Sequence, residues 1–442
     1  MCTNRYGNYC NRIPEMIVFF SIIYNFILLP LLWLAFHFLA LFDKKFRAGI
    51  DGRKSLFLHL RSEVNKISAR QIRIWIHCAS LGEYEQAKPI IAELKLRYSS
   101  VLIVVTFFSP SGYANARKNS EDEIQMYLPF DSPVNAHRFY TIVQPHVALF
   151  MSYDLWWNHI QQMRKHKIPI IVANARLKIS STIERVYYKL LFNQVQFIFT
   201  VSEREVEKFH SIEVTQPLVE CYGETRMDQV WNRAHTSSSQ QLLDAKVYKD
   251  KIVLIIGSSW REDEEIILPA LYSLYEEFPR IVTIIAPHEP THSNLEHIER
   301  EIEGRLTSLR YSFIATYRNE RIILIDSIGI LLPMYQYADI VFVGGSFKEK
   351  VHNVLEPAVF GVPIIVGPHY YNANEAIELQ KRGGLFSVYT KDELHLLLRD
   401  LILNEQRRTQ AGNISQHFVQ EHRGATQKIV EHLDTLLPQE LT

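Results

Sequence analysis

The sequence predicts an α/β protein in which two doubly wound parallel sheets face each other across a cleft, preceded by an apolar helix. Two series of short β-branched runs alternate with helical stretches, a polar stretch separates the series, and an uncharged segment precedes both. Such alternation is typical of parallel sheets covered by helices on both faces. With 442 residues, 47% hydrophobic and 22% charged, the chain can build two or three cores, and its composition excludes wholesale disorder.

Each series supplies the strands of one sheet. In the first, strands are predicted at 72–76, 101–106, 147–150, 168–172 and 197–201. After a polar stretch at 223–250, strands are predicted at 252–256, 281–286, 322–325, 340–343 and 363–366. The chain is therefore divided into an N-terminal helix at 16–43, a domain at 44–232, a linker at 233–250, a domain at 251–415 and a C-terminal helix at 416–442.

The segment from 17 to 42 contains 26 residues without a formal charge. As a helix it is about 39 Å long, enough to cross a hydrocarbon core of about 30 Å. Asn25, Pro30 and His37 fit a kinked helix that lies in the membrane interface, and a buried core helix is the third interpretation. Lys and Arg cluster between positions 44 and 54, so the positive-inside rule places the body on the cytoplasmic side. We predict a single N-terminal membrane anchor.

Charge and cysteine content exclude several classes of function. Lys plus Arg and Asp plus Glu both number 48, so no overall field draws the chain to nucleic acid. The four cysteines have neither the pattern of a disulfide framework nor that of a metal site. We predict no metal, no cofactor and no obligate protein partner, and any bound anion must be held by local geometry.

The candidate site of the first domain lies where its first strand ends. Ligands of doubly wound sheets bind at the carboxyl ends of strands, beside helix N-termini. Glu83 stands at the start of a helix there, directly after Gly82. Two interpretations stay open: a carboxylate that complements the helix dipole, or a general base at the mouth of the cleft.

In the second domain, two strand ends carry candidate binding residues. Ser258 lies in a loop of small residues that lacks the spacing of a Walker loop or a dinucleotide fingerprint. Asp263 and Glu264, which follow, read as ordinary first-turn acids of a helix. His288 ends the strand at 281–286, where a structural and a binding role are equally open.

A third strand end in the second domain predicts a nucleotide-type site. The strand at 340–343 runs into a turn formed by Gly344, Gly345 and Ser346. A helix is predicted to begin near His352 and Asn353, with Glu356 one turn inside. Glycine N–H groups and a helix N-terminus can hold an anion, and a carboxylate one turn in suits the two hydroxyls of a ribose.

Eleven segments, of which the apolar start is the first, occur in a fixed order along the chain. After the apolar start they are WIHCASLGE (75–83), TFFSPSG (106–112), YDLWWN (153–158), NARL (174–177), YGETRMDQV (222–230), GSSWREDE (257–264), APHE (286–289), DSIGIL (326–331), GGSF with HNVLEP (344–357) and GP with N and EA (367–376). In this order they resemble the 3-deoxy-D-manno-octulosonic acid (Kdo) transferases of lipopolysaccharide synthesis, most closely the forms of Bacteroidetes-type bacteria.

The resemblance implies a GT-B glycosyltransferase with two Rossmann-like domains, which bind the acceptor at 44–232 and CMP-Kdo at 251–415. It implies inverting transfer of Kdo from CMP-Kdo to the lipid A precursor lipid IVA, beside the lipids of the bacterial inner membrane. Glu83 matches the general base of the family, and Ser258 and His288 lie where the family meets the nucleotide. Arg176 and Arg226 match arginines that could hold the Kdo carboxylate or phosphates, with structural ion pairs as the alternative.

The chain also departs from the family pattern. Ser152 stands where many relatives carry a glutamate, and Asp154 is a candidate substitute. Lys348 and Lys350 replace small residues in the glycine-rich loop. Two other functions therefore stay open: a membrane-associated GT-B transferase that uses a UDP- or GDP-sugar with a lipid-linked acceptor, and an anchored binding protein without catalysis.

Overall fold

The chain folds into two compact units. The computed structural model describes residues 12–66, 71–116, 123–237 and 240–438. The first unit consists of Met1–Gln229 together with Arg423–Thr442, and the second of Val230–His422. Each contains one sheet of seven parallel strands flanked by helices, so the predicted α/β class is confirmed for both.

The sheet of the first unit places all its strand carboxyl ends at one edge. Its strands are β1 (Ile72–Cys78), β2 (Val101–Phe107), β3 (Glu123–Tyr127), β4 (Val147–Met151), β5 (Ile170–Ala175), β6 (Phe197–Thr200) and β7 (Leu218–Cys221). Their order is β3-β2-β1-β4-β5-β6-β7. Both faces are buried: Trp75 packs with Phe139 and Phe150 on one side, and Ile74 packs with Ile90 on the other.

Helices cover both faces of this sheet. They are α1 (Arg12–Ile23), α2 (Leu29–Phe42), α3 (Lys44–Asp51), α4 (Leu56–Asn65), α5 (Leu81–Arg97), α6 (Pro110–Asn115), α7 (Pro133–Val143), α8 (Trp157–Lys165), α9 (Thr182–Phe192), α10 (Glu203–Ser211) and α11 (Thr225–Ser237), which runs on into the second unit. Several begin at a serine whose hydroxyl accepts the N–H three residues on, as at Ser80, Ser109, Ser132 and Ser181. These caps fix where each helix starts relative to the preceding strand.

The second unit repeats the pattern. Its strands are β8 (Ile252–Ser259), β9 (Ile281–Pro287), β10 (Ser308–Arg310), β11 (Ile322–Leu324), β12 (Ile340–Val343), β13 (Ile364–Val366) and β14 (Leu385–Ser387), in the order β10-β11-β9-β8-β12-β13-β14. Its further helices are α12 (Ala245–Tyr248), α13 (Arg261–Glu277), α14 (His292–Ile302), α15 (Leu331–Met334), α16 (Leu355–Val359), α17 (Asn374–Arg382), α18 (Lys391–Leu403) and α19 (Glu405–Glu421). Short 3₁₀ turns lie at Tyr311–Thr316 and Tyr335–Tyr337. The chain then returns to the first unit as α20 (Ala425–Leu436).

The ten strands predicted from β-branched runs are all confirmed, with ends that shift by at most three residues. The strands that the sequence pattern did not reveal are β3, β7, β10 and β14. Each is an outer strand of its sheet.

The segment boundaries differ from those expected. Helix α11 continues through the expected boundary at 232/233, and α19 continues through the one at 415/416, whereas the compact units change at 229/230 and 422/423. The C-terminal part is two helices, because Gly424 adopts a positive φ between α19 and α20. Helix α20 belongs to the first unit because Ile429 and Leu433 are buried in its core, and Asp228 accepts the N–H groups of Gly424 at 2.7 Å and Thr426 at 2.8 Å.

An apolar helix begins the first unit. Helices α1 and α2 are joined by a π-helical turn at Tyr24–Leu28, where the N–H of Leu29 donates to the carbonyl of Tyr24, five residues back. Pro30 follows directly and has no N–H to continue the ordinary pattern. Within the described part of the chain, Met16–Phe42 is the one helix whose length and composition would allow it to cross a membrane.

Candidate active site and nucleotide-binding site

Glu83 lies at the carboxyl edge of the first sheet, in the first turn of α5. The Ser80 hydroxyl accepts the N–H of Glu83 at 3.4 Å, and Oε2 of Glu83 accepts the N–H of Ala79 at 2.5 Å. This reciprocal arrangement closes the helix start, as in a capping box. One carboxylate oxygen of Glu83, Oε2, therefore has a structural role at the start of α5.

The environment of Glu83 also suits a general base. Burial raises the pKa of its carboxyl to about 7; His77 and the N–H groups of Ala79 and Ser80 oppose the shift, whereas Asp154 adds to it. A base works best when its pKa lies near the working pH, because it is then largely deprotonated and still a strong proton acceptor. A glutamate in this state can accept a proton from a hydroxyl group.

A hydrogen-bonded chain of four side chains runs beside Glu83. The indole N–H of Trp75 donates to Oγ1 of Thr106 at 2.9 Å, and this hydroxyl lies 2.9 Å from Nδ1 of His77. Nε2 of His77 lies 3.1 Å from Oδ2 of Asp154. Because Thr106 accepts from Trp75, its own proton can go to Nδ1, which leaves Nε2 of His77 as the donor to Asp154. The chain fixes the ring of His77 and the position of Asp154.

Sequence reasoning missed His77 and anticipated Asp154 in part. His77 is fully buried within β1, and its one sequence signal is a histidine directly after the apolar run Ile74–Ile76 of that strand. Asp154 is part-exposed and also accepts the indole N–H of Trp156 at 3.2 Å. Ser152 is buried at a positive φ of 63° and helps to turn the chain after β4.

Arg176 and Arg226 meet at one buried carboxylate, that of Glu224. Nη2 of Arg176 donates to Oε2 of Glu224 at 2.7 Å, and Nε of Arg226 donates to Oε1. The structural ion pairs that were one interpretation of the arginines are present. The three groups still carry a net charge of +1, and each arginine side chain is about one-third exposed, at 36% and 33%.

In the second unit, the glycine turn after β12 does not form the expected anion cradle. The N–H of Gly344 donates to the carbonyl of Gly257 at 2.8 Å. The N–H groups of Gly345 and Phe347 donate to the carboxylate of Asp263 at 2.7 and 3.1 Å. The expectation that the N–H groups of Gly344 and Gly345 hold a phosphate is corrected, because each already has an acceptor within the unit: the carbonyl of Gly257 for Gly344 and the carboxylate of Asp263 for Gly345.

Asp263 is therefore more than a first-turn acid of α13. Its side chain is fully buried, and Oδ2 also accepts the N–H of Trp260 at 3.0 Å. Burial raises the pKa of Asp263, and its bonds to the three N–H groups oppose that rise. One carboxylate thus ties the start of α13 to the turn after β12.

The glycines of this turn are required by close packing. A Cβ at Gly344 would lie 2.4 Å from the carbonyl oxygen of Ser258, and one at Gly345, where φ is +90°, would lie 2.4 Å from that of Lys350. Ser346 is fully buried, and its hydroxyl accepts the N–H of Gly367 at 2.6 Å. Ser258 itself adopts a positive φ of 55° at the end of β8. These predicted binding residues build the scaffold of the site.

Three aromatic rings and a lysine form a cluster beside this turn. The ring of His288 stacks on Trp260 at 4.7 Å and on His352 at 4.3 Å, and the indole N–H of Trp260 donates to Nε2 of His352 at 2.9 Å. Burial, with help from His288 and Lys350, lowers the pKa of His352 to about 4, so its Nε2 is a neutral acceptor near pH 7. The ammonium of Lys348 lies 3.3 Å from the centre of the Trp260 ring.

The helix expected near His352 begins slightly later. Helix α16 starts at Leu355, whose N–H donates to Oδ1 of Asn353 at 3.1 Å. Glu356 therefore lies in the first turn of a five-residue helix rather than one turn inside a longer one. Burial raises the pKa of Glu356, and Arg233, with Nη1 3.9 Å from its carboxylate, opposes the rise.

The structure thus forms two groups of predicted residues. Glu83 and the arginine pair belong to the first unit, and the loops after β8, β9 and β12 bring the other predicted residues together in the second. Trp260 was missed, although it lies only two residues after Ser258. In the described ranges, no three His, Cys, Asp or Glu side chains are grouped so that they could hold a metal ion.

Comparison with known proteins connects these features to one enzyme family. Residues 53–229 match the family model of 3-deoxy-D-manno-octulosonic-acid transferase. The Kdo transferase of Haemophilus influenzae is 29% identical over 82% of this chain and 87% of its own length. That of Aquifex aeolicus is 28% identical over 74% of this chain and 86% of its own.

Solved structures agree on the fold. A UDP-GlcNAc 2-epimerase from Neisseria meningitidis, 14% identical, aligns with a TM-score of 0.56 over 82% of this chain and the whole of its own. A glycosyltransferase from Rickettsia africae, 10% identical, aligns with a TM-score of 0.53 over 83% of this chain and 98% of its own. Two parallel seven-stranded α/β units with such neighbours are a GT-B fold. Together with the sequence matches, this makes the chain a glycosyltransferase that is similar to the Kdo transferases.

Proposed function

We propose that the protein transfers Kdo from CMP-Kdo to the lipid A precursor lipid IVA, with inversion at the anomeric carbon and with Glu83 as the general base. Similarity to the Kdo transferases, which residues 53–229 share with the family model, supports Kdo as the transferred sugar and lipopolysaccharide synthesis as the setting. The observation that carries the mechanism is the carboxylate of Glu83, held at the carboxyl edge of the sheet with its pKa raised to about 7.

In this mechanism a sugar hydroxyl of the acceptor attacks the anomeric carbon of Kdo from the face opposite CMP. Glu83 accepts the hydroxyl proton as the new C–O bond forms. CMP leaves with the electron pair of the broken bond. One displacement inverts the anomeric centre, so no covalent enzyme intermediate is required.

The hydrogen-bonded side chains that link Trp75 to Asp154 hold the region beside Glu83, where the acceptor would bind, in a defined shape. His77 is held from both ring nitrogens, and Asp154 is held by His77 and Trp156. Asp154 is exposed enough to accept a hydrogen bond from an acceptor sugar. In the proposal it orients the acceptor and keeps negative charge near Glu83, which favours the basic function of that carboxylate.

The second unit would bind the donor. A cytosine can stack against the cluster of Trp260, His288 and His352, and Lys348 supplies a positive charge beside it for the phosphate. Glu356 is the candidate partner of the ribose hydroxyls. Because Asp263 occupies the N–H groups of Gly345 and Phe347, leaving-group charge would be stabilised by cations rather than by the glycine turn.

The proposed acceptor is a membrane amphiphile, and the apolar helix gives the protein a means of staying near it. The basic residues between 44 and 54 would face the anionic lipids of the cytoplasmic leaflet of the inner membrane. Membrane attachment raises the effective concentration of acceptor around the first unit.

The test is an assay of the full chain in detergent with CMP-Kdo and tetra-acylated lipid A precursor, with products identified by mass. Product mass is expected to rise by whole Kdo units, and their number counts the transfers. A protein that forms no product but binds and turns over a UDP- or GDP-sugar would contradict the donor assignment and leave the fold assignment intact.

Arg176→Gln tests the arginine pair. We expect the KM of one of the two anionic substrates to rise about tenfold, which corresponds to about 1.4 kcal/mol, because the positive charge beside Glu224 is lost. The matched control is Arg97→Gln, which removes a similarly exposed arginine of the same unit together with its ion pairs to Glu93 and Asp434. A lower Tm with both KM values unchanged would mean that Arg176 is purely structural.

A further inference from the structure

The apolar helix at Met16–Phe42 contacts the first unit at two places, one in each half of the helix, and residues 30–35 between them are exposed. Near its start, the Tyr24 hydroxyl donates to Oδ2 of Asp131 at 2.8 Å, and Asn25 accepts from Nδ2 of Asn158 at 2.9 Å. The indole N–H of Trp157 donates to the hydroxyl of Ser21 at 3.0 Å. Polar groups of this helix are therefore satisfied by side chains of the folded unit.

A second contact lies much further along the helix. The ring of Phe36 packs against Phe108 at 5.7 Å and Phe130 at 5.5 Å, and Ala40 is buried. At about 1.5 Å per residue, the contacts at residues 24 and 36 are about 18 Å apart along the axis. Two contacts so far apart on the same unit fix the direction of the helix relative to that unit.

The loops that hold the helix come from one edge of the sheet. Phe108 follows β2, Phe130 follows β3 and Trp157 follows β4, and Glu83 follows β1. Because the strands are parallel, these loops all lie at the carboxyl edge. The apolar helix thus runs along the edge that carries the candidate base. A cavity of about 300 Å³ lies between them, lined by Leu32, Trp33 and Trp156 among others.

The opposite side of the helix is apolar and exposed. Phe19, Phe26, Leu34, Phe38 and Leu41 are each more than half exposed, and Phe26 is 78% exposed. At the C-terminal end, the guanidinium of Arg47 donates to the carbonyls of Ala40 and Leu41, both at 3.1 Å. A stripe of large apolar side chains with cations at its end is the pattern of a helix that lies in a membrane interface.

A helix that crossed the bilayer would conflict with these contacts. Crossing would require both contact regions to lie within the hydrocarbon core, together with Asp131, Asn158 and the loops around them. An irregular, polar sheet edge is not tolerated there. In the in-plane orientation, the same loops stay in water and the exposed stripe alone enters lipid.

We infer that the apolar helix is an in-plane anchor: it lies flat in one leaflet, with its exposed stripe in the acyl chains and its other side on the first unit. The inference rests on the proposed membrane location but not on the proposed chemistry. Its consequence for the site is that an amphiphile reaches the carboxyl edge of the first sheet sideways from the leaflet, past Trp33 and Trp156.

The test measures the depth of single probes in vesicles that contain anionic lipid. Single cysteines are placed at Phe19, Phe26, Leu34 and Leu41 in the full chain, with Cys2, Cys10 and Cys221 replaced by serine and the buried Cys78 kept. Each is labelled with a fluorophore and quenched by lipids that carry a quencher at different depths. The in-plane helix predicts one shallow depth for all four, about 5–10 Å below the headgroups.

A crossing helix predicts a different profile. Positions 26 and 34 would lie near the bilayer centre, and 19 and 41 would lie near opposite surfaces, about 33 Å apart. The control probe is Leu96→Cys, an exposed apolar position on α5. Its fluorophore should be quenched by a water-soluble quencher and not by the quencher-bearing lipids. The depth profile of a crossing helix, or quenching of all four probes by a water-soluble quencher, would overturn the inference. Neither outcome depends on whether the protein transfers Kdo.

Discussion

Glu83→Gln is expected to lower the rate of transfer by a factor of about 10² to 10⁴ while leaving donor binding intact. The amide keeps the shape of the side chain and can still accept the N–H of Ala79, so α5 should begin as before. It cannot accept the proton of the attacking hydroxyl. The measurement compares kcat with the affinity for CMP-Kdo in the two proteins.

The matched control is Glu93→Gln on the same helix, which removes a part-exposed carboxylate paired with Arg97. Its rate should be unchanged. Because the base must be deprotonated and its pKa is about 7, the rate of the parent should fall about tenfold per pH unit well below pH 7 and level off above it. A Glu83→Gln protein of near-normal rate, or a profile flat down to pH 5, would contradict the role of Glu83.

Asp263→Ala is expected to destabilise the second unit by about 3 kcal/mol or more. The change leaves the buried N–H groups of Trp260, Gly345 and Phe347 without their acceptor, and each unsatisfied donor costs about 1–3 kcal/mol. The turn after β12 and the start of α13 should separate, so binding of CMP should weaken at least tenfold. Urea unfolding and CMP titration measure the two effects.

Two comparison variants make the result specific. Glu262→Ala removes the exposed neighbour of Asp263 in the same helical turn and should change neither property. Asp263→Asn keeps a carbonyl acceptor and should recover part of the stability. If Asp263→Ala were as stable as the parent and bound CMP more tightly, the glycine N–H groups would be the phosphate site and the carboxylate a competitor for it.

The sequence revealed the inner strands better than the outer ones for a physical reason. Strands inside a parallel sheet are buried on both faces and read as continuous β-branched runs. Outer strands give a weaker pattern. β7 alternates between exposed and half-buried positions, and β10 and β14 are three residues long. β3 is buried but carries the polar residues Glu123 and Gln125. Apolar runs alone do not mark such strands.

The sequence predicted a site residue well when its structural neighbours are adjacent in the chain, and poorly when they are distant. Glu83 could be placed because a strand end, a serine cap and a helix start are adjacent in the chain. The role of Asp263 could not, because its partners Gly345 and Phe347 lie more than 80 residues away and meet it through the packing of β8 against β12. The role of His77 could not be predicted either, because its partners Thr106 and Asp154 lie on other elements and only the fold places them beside it.

The return of α20 to the first unit has a consequence for how the protein is made. Synthesis proceeds at about 5–20 residues per second, and an N-terminal domain ordinarily folds before the next one emerges. Here Ile429, Val430 and Leu433 complete a core that begins at Ile72, so that core stays open until the whole second unit has left the ribosome. The nascent chain therefore exposes an incomplete apolar surface throughout that interval. A stop codon that removes only α20 would damage the first unit, which contains Glu83, rather than the second unit, which directly precedes α20 in sequence.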